Sequence, residues 1–70
     1  MKPIYKDAVV EMQAKGITFN KNPFELSNSE TSILRDVAAK YGYRRSKYSY
    51  LSTGRAFYEC LKKVYNKINK

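Results

Sequence analysis

A single cysteine and no histidine in a chain of 70 residues restrict how so small a domain can be stabilised. A domain of about 60 residues buries only about 60% of the surface that its unfolded chain exposes, so its stability is marginal without a cross-link or a metal. One cysteine cannot form an internal disulfide, and a structural zinc site needs about four Cys or His ligands. We therefore expect one domain, spanning residues 1–70, that is stabilised by packed helices or by a partner subunit and has no metal or cofactor.

Three segments have the apolar spacing of amphipathic helices. The first two end before Gly16 and Gly42, and glycine is the usual residue just after a helix C-terminus. The second helix also has a start signal, because Ser27 and Glu30 have the spacing of a capping box. The predicted helices span residues 3–15, 28–41 and 54–68.

The apolar side chains of these helices predict the core. Cys60 belongs to the apolar stripe of the last helix, so we expect a buried and unreactive thiol. Three apolar residues between the first two helices are expected to cover one end of the core, namely Phe19, Phe24 and Leu26. The predicted core consists of Val9, Met12, Leu34, Val37, Ala38, Phe57, Cys60, Leu61 and Val64.

The stretch 43–53 is compatible with two structures. A short helix beginning near Ser46 would give a mainly α fold, a small bundle of three firm helices plus a fourth short element. The tyrosines and serines of this stretch also alternate as in a strand. If residues 47–51 pair with residues 17–19 as a two-stranded ribbon, the chain is instead a small α+β fold.

Positive charge is concentrated in the second part of the chain. Residues 43–70 carry eight Lys or Arg and one acidic residue, Glu59, whereas residues 1–42 carry six basic and five acidic residues. Such a concentration of like charge repels itself and favours an anionic partner. Catalysis is not expected, because histidine, the commonest general base, is missing and the carboxylates are scattered along the chain.

Ala38 and Gly42 are a small residue and a glycine four positions apart, flanked by apolar residues. With these residues, the segment from Leu34 to Leu51 resembles a helix-turn-helix DNA-binding segment. The resemblance implies that the helix at 28–41 is the first of the pair. It also implies a second, DNA-reading helix from about Arg45 to Thr53.

Six of the seven tyrosines lie between Tyr41 and Tyr65, among the basic residues. Aromatic rings stack on bases while Lys and Arg bind phosphates. The sequence therefore predicts a small nucleic-acid-binding protein, with DNA favoured over RNA, that acts as a regulator or as an accessory protein of a phage or mobile element. The predicted contact residues are Arg44, Arg45, Ser46, Lys47, Ser49, Tyr50, Thr53, Arg55, Lys62, Lys63 and Lys67.

Two other binding functions are compatible with the same composition. The alternative is a non-enzymatic modulator or inhibitor that docks on an acidic patch of a host protein, since Arg and Tyr are frequent at the centres of protein interfaces. Binding to a membrane surface ranks last, because the apolar stripe of residues 54–68 is needed for the core. The lone thiol, and the lack of a signal peptide or a long apolar run, predict a cytoplasmic protein.

Overall fold

The chain forms a small helical bundle. The described part of this computed structural model is residues 4–45, 47–48 and 50–68. It contains α1 (Ile4–Ala14), α2 (Asn28–Lys40) and α3 (Thr53–Ile68), with a short 3-10 helix (Pro23–Glu25) between α1 and α2. Across the described ranges, no helix combines the length and the apolarity that a membrane crossing requires.

The mainly α prediction is confirmed. The described residues contain no strand, so the two-stranded ribbon of residues 17–19 and 47–51 is wrong. The second helix implied by the helix-turn-helix resemblance is also wrong, because the described residues between 43 and 52 form turns and irregular structure and Thr53 belongs to α3. Serine, threonine and tyrosine are weak helix formers. Tyr48 and Tyr50 are 84% and 85% exposed, so this segment also lacks the buried face that stabilises a helix.

Two capping boxes begin the elements that follow α1. The Ser27 hydroxyl accepts from the Glu30 N–H at 3.2 Å and the Glu30 carboxylate accepts from the Ser27 N–H at 3.0 Å, as predicted for α2. The second box was not predicted and starts the 3-10 helix. There the Asn22 side chain accepts from the Phe24 N–H and the Glu25 carboxylate accepts from the Asn22 N–H.

Two Schellman motifs end α1 and α2. Gly16 and Gly42 follow the helices with φ of 86° and 70°, in the left-handed region that favours glycine. After Gly42, the Tyr43 N–H donates to the Ala38 carbonyl at 2.8 Å, and the Ile17 N–H makes the equivalent bond after Gly16. The spacing of Ala38 and Gly42 is therefore that of a helix C-terminus.

The core lies between the three helices and is covered at one end by the segment after α1. Cys60 was predicted to be buried but is half-buried, because it lies at the margin of the apolar stripe of α3. This partial burial raises the pKa of the Cys60 thiol. Phe24 is 61% exposed, which also contradicts the prediction. Tyr58 is fully buried and was not among the predicted core residues. The buried apolar residues are Ala8, Val9, Met12, Ile17, Phe19, Leu26, Leu34, Val37, Ala38, Ala56, Phe57, Tyr58, Leu61 and Val64.

Helices α2 and α3 pack closely at Gly54. A Cβ atom on Gly54 would lie 2.5 Å from the carbonyl oxygen of Thr31, closer than real Cβ contacts come. A side chain at this position would have to push the backbones of the two helices apart. Glycine at the second position of α3 thus allows the first turns of α2 and α3 to approach each other.

Candidate nucleic-acid interface

Tyr58 fixes the segment after α1 against α3. Its hydroxyl donates to the Thr18 carbonyl at 2.6 Å and accepts from the Lys21 N–H at 3.2 Å, and its ring stacks on Phe19 with centroids 5.4 Å apart. Burial raises the pKa of Tyr58, although the bond from Lys21 opposes this shift. This tyrosine has a structural role, and it brings the segment before the 3-10 helix next to the basic side chains of α3.

Arg55 and Lys62, two of the predicted contact residues, bind that same segment. The Arg55 Nε donates to the Pro23 carbonyl at 3.2 Å, and the Lys62 Nζ donates to the Lys21 carbonyl at 2.8 Å. Both side chains are half-buried. An arginine has five N–H donors and a lysine three, so each retains donors for an anion after making one backbone bond. Their positive charges are held in place along one edge of α3.

Lys63 and Lys67 are exposed and lie on another side of α3. Because each helical residue turns by about 100°, Lys63 is about that angle away from Lys62. The predicted contact residues of α3 therefore form two rows, one with Arg55 and Lys62 and the other with Lys63 and Lys67. The structure does not bring all four to a single face.

The segment before α3 presents its charged groups outward. Arg44, Arg45 and Lys47 are exposed, and the Lys47 ammonium lies 5.1 Å from the centre of the Tyr48 ring. This distance is within the range of a cation–π contact. Two further predicted contact residues, Ser46 and Ser49, lie outside the described residues.

A groove of about 550 Å³ opens beside the close approach of α2 and α3. Two arginines line it together with side-chain hydroxyls: Arg35 of α2, and Arg45 of the loop between α2 and α3. No carboxylate is among its described lining residues. Guanidinium groups and hydroxyls are donors for phosphate oxygens. The lining residues are Asn28, Thr31, Ser32, Arg35, Arg45, Ser52, Thr53 and Gly54.

The sequence analysis predicted Arg45 and Thr53 for the interface but missed Arg35. Arg35 lies in the part of the chain whose charges nearly balance, so net charge did not single it out. A signal was nevertheless present, because Asn28, Thr31, Ser32 and Arg35 repeat at helical spacing on the polar side of α2.

Phe24 and Tyr50 form an exposed pair of rings. Their centroids are 6.0 Å apart and their planes differ by 13°. Phe24 was predicted to cover the core, but the 3-10 helix turns Pro23 inward, and Leu26 is buried after it. The ring of Phe24 is thereby left in solvent, where Tyr50 lies against it.

A comparison of the chain with protein families, with curated proteins and with solved structures found no match.

The acidic side chains near the helices make structural contacts. Glu11 of α1 forms an ion pair with Lys40 of α2, with Nζ and Oε1 3.0 Å apart, and the hydrogen bond from Lys40 lowers the pKa of Glu11. Glu30 caps α2, and the backbone bond from Ser27 lowers the pKa of Glu30. The described residues hold no group of three or more His, Cys, Asp or Glu that could bind a metal.

Proposed function

We propose that this protein binds nucleic acid, with DNA favoured over RNA, through the basic surface formed by residues 43–68 together with the groove between α2 and α3. The observation that carries the proposal is the exposure of aromatic rings among positive charges. Tyr48 and Tyr50 are almost fully in solvent, in a segment that also exposes Arg44, Arg45 and Lys47. Exposed rings among positive charges suit a nucleic acid, because bases stack on aromatic rings while Lys and Arg bind phosphates.

The chemistry of the surface suits a polyanion. The arginines supply bidentate donors for phosphates, the lysines of α3 add point charges, and the rings supply stacking surfaces. Because the expected reading helix is not formed at the described residues between 43 and 52, contacts to the phosphate backbone dominate over readout of base edges. The protein acts by binding and not by catalysis, as a small cytoplasmic regulator or as an accessory protein of a phage or mobile element.

Binding is expected to weaken steeply as salt is raised. Fluorescence anisotropy with labelled single-stranded DNA, duplex DNA and RNA should show that log K falls linearly with log salt, by roughly 0.7–0.9 for each phosphate neutralised. Replacing Lys63 with alanine should lower this slope by about one, because one phosphate contact is lost. The matched control is Lys6→Ala, which removes an exposed lysine from α1 and should leave the slope unchanged.

The absence of binding to all three polymers would contradict the proposal. If the parent protein at micromolar concentration binds none of the three polymers at about 50 mM salt, the proposal is wrong. The surface would then belong to an acidic protein partner, with the same arginines and tyrosines as its anchors.

A further inference from the structure

The ring pair of Phe24 and Tyr50 has the properties of a stacking platform. The two rings are nearly parallel, and 61% of Phe24 and 85% of Tyr50 are open to solvent. They come from parts of the chain 26 positions apart, so only the fold brings them together. Every nucleobase has a π-face, and stacking on such rings does not require a particular sequence.

The Phe24 side of the platform is held in place by contacts to α3 and within the 3-10 helix. The Asn22 side chain caps the backbone at Phe24, and Arg55 of α3 donates to the carbonyl of the neighbouring Pro23. A ring whose backbone is already fixed loses less conformational freedom when a ligand binds. The Arg55 guanidinium also places a positive charge beside the platform.

The backbone of Tyr50 lies close to the lining of the groove between α2 and α3. Tyr50 precedes Ser52, a lining residue of the groove, by two positions, and two residues span at most about 7 Å. On the other side, Phe24 precedes Asn28, another lining residue, by four positions. A strand with one base stacked on Tyr50 can therefore continue toward the groove, whose arginines are Arg35 and Arg45.

An unpaired base fits this arrangement better than a base pair. In a duplex the faces of the bases are covered by their neighbours and only their edges are open in the grooves. The faces become available in single strands, where aromatic side chains stack on them. The described part of the chain also offers no helix between residues 43 and 52 to enter a major groove.

We infer that the preferred ligand is single-stranded nucleic acid, bound with one base on the Phe24–Tyr50 platform and the adjoining phosphate in the groove between α2 and α3. This inference rests on the proposed function and adds the class of ligand and the position of the base.

The test compares variants with the parent protein by anisotropy, with single-stranded DNA, single-stranded RNA and duplex DNA of equal length. Tyr50→Ala and Phe24→Ala should each weaken binding to the single strands by roughly 5- to 150-fold, since a stacked base contributes about 1–3 kcal/mol. Duplex binding should change little. Tyr50→Phe should bind as the parent does, because the ring remains. Arg35→Ala should lower the salt slope for single strands by about one.

Tyr48→Ala is the comparison within the same surface, because Tyr48 is as exposed as Tyr50 and lies two positions away. Its loss of affinity should be clearly smaller than that of Tyr50→Ala, because Tyr48 is not part of the ring pair. The matched control is Val10→Ala, at an exposed apolar residue of α1, which should bind as the parent does. Circular dichroism checks that the exposed-site variants keep the parent's helix content.

Parent-like binding of single strands by Tyr50→Ala and Phe24→Ala, or equal affinity of the parent for duplex and single strands, overturns the inference while leaving nucleic-acid binding intact. An unchanged salt slope for Arg35→Ala overturns the placement of the phosphate. A parent that binds no polymer overturns both proposals.

Discussion

Replacing Tyr58 with alanine is expected to lower the free energy of unfolding by about 3–5 kcal/mol, the usual cost of removing a buried aromatic ring. Tyr58 is fully buried, packs on Phe19, and bonds the backbone at Thr18 and Lys21. For a domain whose total stability is about 5–15 kcal/mol, this change removes a large share of the stability. Urea unfolding followed by circular dichroism measures the difference.

Tyr58→Phe distinguishes the contribution of the ring to stability from that of the hydroxyl. The ring and its packing remain, but the Thr18 carbonyl and the Lys21 N–H lose their shared partner, at a cost of about 1–3 kcal/mol. A Tyr58→Ala protein as stable as the parent would contradict the buried position of this side chain. Equal losses for the two variants would show that the hydroxyl, and not the ring, carries the stabilisation.

Leu61→Ala is expected to lower the free energy of unfolding by about 2–5 kcal/mol, through lost burial and the cavity left behind. Leu61 is fully buried in the middle of the α3 stripe. Since each kcal/mol shifts the melting temperature of a domain this small by about 4–8 °C, the variant should melt at least about 8 °C below the parent.

The matched control for Leu61→Ala is Val10→Ala. Val10 is an apolar residue of α1 that is 63% exposed, so its truncation should change stability by no more than about 0.5 kcal/mol. Melting of Leu61→Ala within a degree or two of the parent would contradict the assigned core face of α3.

The helices were predictable because their signals are local. Ser27 and Glu30 make a capping box from residues three positions apart, and Gly16 and Gly42 supply the left-handed conformation at two helix ends. The apolar face of α3 repeats with the helical period. Each of these signals acts within one or two turns, so it can be read from the sequence without knowing the tertiary fold.

The contacts around the candidate interface were not predictable, because they join distant parts of the chain. Tyr58 and Lys62 bind carbonyls that lie 40 and 41 positions earlier, and Arg55 binds one 32 positions earlier. In the sequence Arg55 and Lys62 resemble surface residues of a basic helix, and Tyr58 resembles an amphipathic residue at the edge of the core. Their partial or complete burial depends on the segment 18–23 folding over α3.

The groove and the ring pair depend equally on the tertiary structure. The sequence around Gly54 does not indicate that two helices pack closely there. The close approach of α2 and α3 is evident only from the position of the Thr31 carbonyl beside Gly54. Phe24 was expected in the core because it is aromatic, but the capping box formed by Asn22 and Glu25 turns its ring outward. Hydrophobicity alone does not distinguish a core ring from an exposed one.

Nucleic-acid binding is tested most directly by a nuclear magnetic resonance titration of the ¹⁵N-labelled protein with a short single-stranded oligonucleotide. We expect amide shifts to change at Phe24, around Arg35 of α2 and along residues 43–68, with little change on the exposed side of α1 around Val10. The experiment reports binding and its location together, because each amide is observed separately. An unchanged spectrum, or shifts confined to α1, would contradict nucleic-acid binding by the basic, tyrosine-rich surface.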